Sequence, residues 1–142
     1  MRARSFLPMA DRPRLALPLY LSPVSAGFPS PAEDYIEKKL DLNEHLIRNP
    51  AATFFVRVDG DSMRDAGIAS GDILVVDRSQ EVRNNAIVIA AVNGELTVKR
   101  LKKARSGLWL VPENPDFPAL EIGPETQFDV WGVVTYIIHK AG

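Results

Sequence analysis

The 142-residue chain has no cysteine, which excludes disulfides, thiolate nucleophiles and zinc-thiolate sites. Its two histidines, His45 and His139, lie far apart and outside any HExxH spacing, so neither stands in a metal-ligand pattern. Both read as surface or partly packed residues. A Ser-His-Asp triad stays open, with no motif around either ring. No stretch approaches the ~20 apolar residues of a membrane span. The formal net charge of -1 gives no whole-chain electrostatic case for nucleic-acid binding. That charge is unevenly placed. Residues 1–26 carry Arg2, Arg4, Arg12 and Arg14 against Asp11 alone, which leaves about -4 on the remainder. Such a basic arm suits DNA, an acidic partner or plain solvation. With 46% hydrophobic and 25% charged residues, the chain has material for one core and little for a second domain.

Pro8, Pro13, Pro18, Pro23, Pro29 and Pro31 crowd the first quarter of the chain. Proline lacks the donor that a helix or central strand requires, so residues 1–29 are expected to form an extended, poorly packed arm. Ser30-Pro-Ala-Glu33 is a capping-box pattern with proline at the first helical position. Tyr35, Ile36 and Leu40 follow at roughly helical spacing, and Asp41-Leu-Asn-Glu44 repeats the start signal before Asn49-Pro50 stops it. Residues 30–50 are therefore expected to be a short helical linker, as two helices or one that breaks near Asp41. From Thr53 the period changes. Runs at 54–58, 73–77, 87–92, 96–101, 108–111 and 130–138 are rich in β-branched and aromatic residues. Asn93-Gly94 between two of them suits a type I′ hairpin turn. Residues 51–142 thus predict a compact, mostly antiparallel β body.

Two residues in this body carry potential chemistry. Ser62 sits in Val58-Asp-Gly-Asp-Ser-Met63, just past an expected strand, where Gly60 permits close backbone approach. The bland alternative is a polar turn. Lys99 lies in Glu95-Leu-Thr-Val-Lys-Arg-Leu101, where alternation puts Thr97, Lys99 and Leu101 on one face and Leu96, Val98 and Arg100 on the other. One basic residue must then face the more buried side unless the strand is an edge, where a lysine snorkels. A lysine acts as general base only when neutral. Bringing its pKa from ~10.4 to near 7 takes ~4.6 kcal/mol, which burial can supply. Arg100 cannot substitute, because guanidinium does not deprotonate. In a dyad, neutral Lys99 would take the Ser62 proton as the hydroxyl attacks a carbonyl. Backbone N–H groups of Asp61 and Ser62 are the candidates to hold the oxyanion. The small pair Ala26-Gly27, in Val24-Ser-Ala-Gly-Phe28, suits a narrow cleft as the scissile bond, and its place on the same chain offers a high effective molarity.

The motif order extends this reading. Ala-Gly-Phe-Pro-Ser-Pro at 26–31, Gly-Asp-Ser-Met at 60–63, Ile-Ala-Ser-Gly-Asp at 68–72, Ile-Val-Ile-Ala-Ala-Val at 87–92, Thr-Val-Lys-Arg-Leu at 97–101 and Asp-Val-Trp-Gly-Val-Val at 129–134 follow one another in the chain. In this series the chain resembles the UmuD-like SOS mutagenesis proteins of the LexA-type self-cleaving serine peptidases. The resemblance implies their twisted antiparallel β fold, a dyad of Ser62 and Lys99, and a self-cut at Ala26-Gly27. Many UmuD-like members have Cys-Gly at that bond, whereas LexA repressors have Ala-Gly, so cleavage is implied at an altered rate. It further implies a cytoplasmic homodimer without cofactor. RecA filaments on single-stranded DNA would activate the cut, and the shortened form would assist a UmuC-type translesion polymerase. Neither membrane attachment nor sequence-specific DNA binding is expected. Twenty-six proline-punctuated residues ahead of the cut are too few for the repressors' helix-turn-helix.

Three rival readings compete. Residues 1–26 resemble a secretory signal peptide ending at Ala26, although Pro18 interrupts the apolar run and Asp11 sits among the arginines. Signal peptidases also pair Ser-Met with a lysine but normally carry a membrane anchor. A non-catalytic β-rich scaffold that binds a repair polymerase, with Ser62 inert, is the third.

Overall fold

A computed structural model describes residues 2–8, 14–20 and 36–142. In chain order its strands are β1 (Arg2–Pro8), β2 (Ala16–Tyr20), β3 (Ile36–Asp41), β4 (Thr53–Asp59), β5 (Ile73–Asp77), β6 (Ile87–Val92), β7 (Glu95–Ala104), β8 (Gly107–Val111), β9 (Leu120–Ile122) and β10 (Phe128–Ile138). One short helix, α1 (Leu42–Leu46), lies between β3 and β4. The chain divides into two units, Met1–Met9 with Asn49–Gly142, and Ala10–Arg48.

The larger unit is an eight-stranded sheet in the order β1-β4-β5-β10-β6-β7-β8-β9, antiparallel at every pairing. All six strands expected from β-branched runs are present, and the fold is mostly β and antiparallel as expected. Val92 pairs with Glu95 across the two-residue turn, and Asn93 and Gly94 have φ of 49° and 82°. Positive φ at both positions is what a type I′ turn demands, and Asn-Gly meets it with least strain.

Both sheet faces are covered. Val56, Val58, Leu74, Val76, Ile89 and Val98 pack with Met63 and Ile68 in one cluster, while Val88, Ala90, Leu101 and Leu110 form another. β6 feeds both, because Ile89 points opposite to Val88 and Ala90. Gly132 in β10 is required by this packing. A Cβ there would stand 2.7 Å from Val76 Cγ1 and 3.1 Å from the Asp77 carbonyl oxygen. Gly132→Ala is therefore expected to destabilise the fold by about 1–3 kcal/mol through overpacking. At Gly123 the nearest atom to a Cβ would be 3.9 Å away, so Gly123→Ala is the matched control. Urea midpoints compare the two, and an unchanged midpoint for Gly132→Ala would contradict the close approach.

β1 corrects the expectation of a poorly packed arm. Its residues are extended, but they pair along β4 from Arg2↔Asp59 to Pro8↔Phe54, and Arg2 also pairs with Thr97 of β7. Pro8 fits because it closes the strand, where a missing donor costs least.

In the smaller unit, β2 and β3 form a two-stranded sheet running from Ala16↔Asp41 to Tyr20↔Ile36. This corrects the expected first helix over its described part. Ile36 and Leu40 are four apart, a spacing that satisfies a helical stripe and also one face of a strand. Pairing with β2 decides for the strand, and Pro18 is accommodated because such a sheet has only edges. The second helix start is borne out. Asp41 caps α1, its carboxylate accepting from Asn43 N at 2.9 Å, and its other oxygen accepts from Leu15 N at 3.1 Å. The helix ends at Leu46, after five residues. Arg14 of the basic arm pairs with Glu44 at 2.9 Å on the surface.

Candidate functional site

β4 ends at Asp59, and Gly60 turns the chain with φ 95°, a left-handed conformation that suits glycine. Gly60 N donates to Ser70 Oγ at 3.1 Å, and Ser70 Oγ donates to Asp59 Oδ1 at 3.2 Å, which ties the turn to the segment before β5. Arg64 N closes onto the Asp61 carbonyl at 3.1 Å. Met63 is fully buried in the core beside this turn. Ser62 is thereby held between a tight turn and a core anchor, and is itself buried.

Lys99 comes from the middle of β7, opposite Val88 of β6. Its neighbour Val98 is fully buried in the core, so Lys99 projects from the other face. Across 37 residues of sequence, Lys99 Nζ lies 3.0 Å from Ser62 Oγ. It also lies 3.0 Å from Thr97 Oγ1 and 3.1 Å from the Val98 carbonyl oxygen. These contacts suit either protonation state. An ammonium donates to all three oxygens. A neutral amine donates to Thr97 and Val98 and presents its lone pair to the Ser62 hydroxyl, the arrangement a general base needs. Burial favours the neutral form by holding the Lys99 pKa below its ordinary 10.5.

A cleft of about 580 Å³ opens beside the pair, lined by Leu96, Thr97, Lys99, Leu110, Phe117 and Leu120 among others. Its mainly apolar walls suit a short stretch of chain with small or apolar side chains. Lys99 faces Ser62, while Arg100, the next residue and so on the opposite face of β7, donates its Nε to the Glu113 carboxylate and its Nη1 to the Asn85 carbonyl at 2.6 Å.

Of the residues singled out in the sequence, the structure brings Asp61, Ser62 and Lys99 together. Ala26 and Gly27 lie outside the described residues. His139 Nδ1 pairs with Asp72 Oδ1 at 2.6 Å, and His45 sits exposed in the last turn of α1. Among the described residues no cluster of three or more His, Asp or Glu side chains is placed to hold a metal, and no helix is long and apolar enough to cross a membrane. Thr97 was missed, although its place two residues before Lys99 on the same strand face was a usable signal. Asn114, whose side-chain amide donates to the Asp61 carbonyl at 2.9 Å, had no such signal, since 53 residues separate the two.

Comparison with known proteins places this geometry in context. Residues 18–135 match the model of the Peptidase S24-like family. The chain is 51% identical over 123 residues to protein SamA of Salmonella typhimurium, an alignment covering 87% of this chain and 85% of that protein. To protein MucA of Escherichia coli it is 48% identical over 122 residues, covering 85% and 83%. To the LexA repressor of Delftia acidovorans it is 39% identical over 141 residues, 99% of this chain and 62% of the repressor.

Proposed function

The chain belongs to the Peptidase S24-like family, and from that premise we propose that it is a self-cleaving serine peptidase whose Ser62–Lys99 pair cuts its own Ala26-Gly27 bond. The observation that carries the reading is the 3.0 Å approach of a partly buried lysine amine to a buried serine hydroxyl beside an apolar cleft. Neutral Lys99 Nζ removes the Ser62 proton as Oγ attacks the Ala26 carbonyl carbon. The resulting oxyanion is held by backbone N–H groups at Asp61 and Ser62. Lys99 then returns the proton to the Gly27 nitrogen, the C–N bond breaks, and Ala26 remains esterified to Ser62. Water, deprotonated by Lys99, hydrolyses that ester and regenerates the pair. Because β1 lies on the N-terminal side of the bond, the cut severs this strand from the body.

The product, in this reading, is a cytoplasmic accessory subunit of SOS translesion synthesis. It acts as a homodimer with a UmuC-type polymerase, after activation by RecA filaments on single-stranded DNA. The similarity to SamA, MucA and a LexA repressor supports that assignment.

The test is the intact mass of the purified chain followed at alkaline pH. Loss of residues 1–26 is expected from wild type. Gly27→Val is expected to block it, since a β-branched side chain at the scissile bond clashes in a narrow cleft. An uncut wild type would sink the peptidase reading. A Gly27→Val protein cut at the wild-type rate would sink the choice of bond. Acceleration by RecA filaments tests the activator, and an unchanged rate removes it.

A further inference from the structure

Ser62 is bracketed by two consecutive residues from the loop after β8. Asn114 donates from Nδ2 to the Asp61 carbonyl at 2.9 Å, on the N-terminal side of the nucleophile. The Glu113 carbonyl accepts from Asp65 N at 2.8 Å, on its C-terminal side. The Glu113 carboxylate pairs with Arg100, the residue next to Lys99. One loop thus grips the serine turn at both ends and the lysine strand at a third point. Asn114 is 4% exposed, and a buried amide left without its partner is costly. Its side-chain oxygen, Oδ1, is also used, accepting from Asp116 N at 3.0 Å, which fixes which way the amide faces.

The consequence lies in the geometry of one peptide bond. The Asp61–Ser62 peptide is trans and planar, so its C=O and N–H point in opposite directions. Holding the Asp61 oxygen against the buried Asn114 amide therefore aims the Ser62 N–H away from Asn114. A flip of this peptide would strip Asn114 of its acceptor. We propose that Asn114 is a positioning residue that locks the Asp61–Ser62 peptide so that the Ser62 N–H serves as an oxyanion donor. This rests on the self-cleavage reading and concerns the Ser62 donor alone, since the Asp61 N–H belongs to the preceding peptide unit and is not governed by Asn114.

The test uses the full chain with Asn114→Asp and Asn114→Ser. Asn114→Asp keeps an oxygen able to accept from Asp116 N and loses the donor to Asp61, and Asn114→Ser leaves one shorter hydroxyl in place of the two atoms that serve the two partners. Intact-mass rates across pH are expected to fall roughly 10- to 100-fold on the plateau, the scale of a misaimed oxyanion donor, with the midpoint of the pH profile unmoved. The Ser62 amide 15N resonance is expected to shift while that of Val75 in the core stays in place. Wild-type rates with an unmoved Ser62 resonance would overturn the proposal and leave the self-cleavage reading standing. A rate loss accompanied by a general fall in melting temperature or a shifted pH midpoint would make Asn114 merely structural, which also overturns it. If wild type does not cut at any pH, the self-cleavage reading fails, and the oxyanion role falls with it.

Discussion

Ser62→Ala and Lys99→Ala are each expected to reduce self-cleavage by roughly 10⁴-fold or more, the scale seen when one member of a nucleophile–base unit is lost. Ser62→Ala removes the attacking atom. Lys99→Ala leaves the hydroxyl at Ser62 without the amine that stands 3.0 Å away to take its proton. Because the two act as a unit, the double variant should be no slower than either single one. Lys99→Arg should fail as completely as Lys99→Ala, since a guanidinium keeps its charge and cannot accept the proton. Intact mass over hours reads all four. Ser62→Ala removes one oxygen and leaves Met63 and Ile68 packed as before, so its melting temperature should stay close to wild type. Substantial cleavage by a folded Ser62→Ala protein would assign the cut to some other nucleophile.

The cleavage rate is expected to climb about tenfold per pH unit through neutrality and level off at the Lys99 pKa, because only the unprotonated amine is competent. Burial holds that pKa below 10.5, so the plateau should begin below the ordinary lysine value. The accompanying effect on stability has the same sign. Between the folded and unfolded pKa values the unfolded chain binds more protons at this group, so its contribution to stability rises with pH across that window. Thr97 supplies a finer check. Its hydroxyl accepts from Lys99 Nζ at 3.0 Å, a bond that is stronger to an ammonium than to an amine. Thr97→Val should therefore move the rate midpoint to lower pH, and a midpoint moved upward would contradict this account of the lysine's surroundings.

Most of the body was legible because its strands are runs of β-branched residues closed by turns with specific chemistry. Asn93-Gly94 shows this best, since the sequence names the turn type and the two positive φ values realise it. The arm was not legible. Its prolines argue against regular structure, yet Pro8 closes β1 and Pro18 sits in a sheet that is all edge. Residues 36–40 misled for a different reason, since a four-residue spacing cannot separate helix from strand. The site divides along the same line. Alternation in β7 showed that Lys99 or Arg100 had to face inward, and motif order singled out Ser62. Which of the two faces meets the serine is set by the tertiary fold across the 37 residues between Ser62 and Lys99, and the Arg100–Glu113 contact on the other face spans 13 residues, so no local pattern encodes either. The grip of Asn114 on Asp61 is hidden for the same reason at longer range.

The central claim is that Lys99 is a neutral base at the pH where the chain cuts. The most direct measurement is the NMR titration of Lys99 Nζ in Gly27→Val, which keeps the pair intact, set beside the pH profile of wild-type cleavage. A single midpoint shared by both curves and lying below 10.5 is the predicted result. An amine that titrates at its ordinary value, with a cleavage midpoint elsewhere, would contradict it.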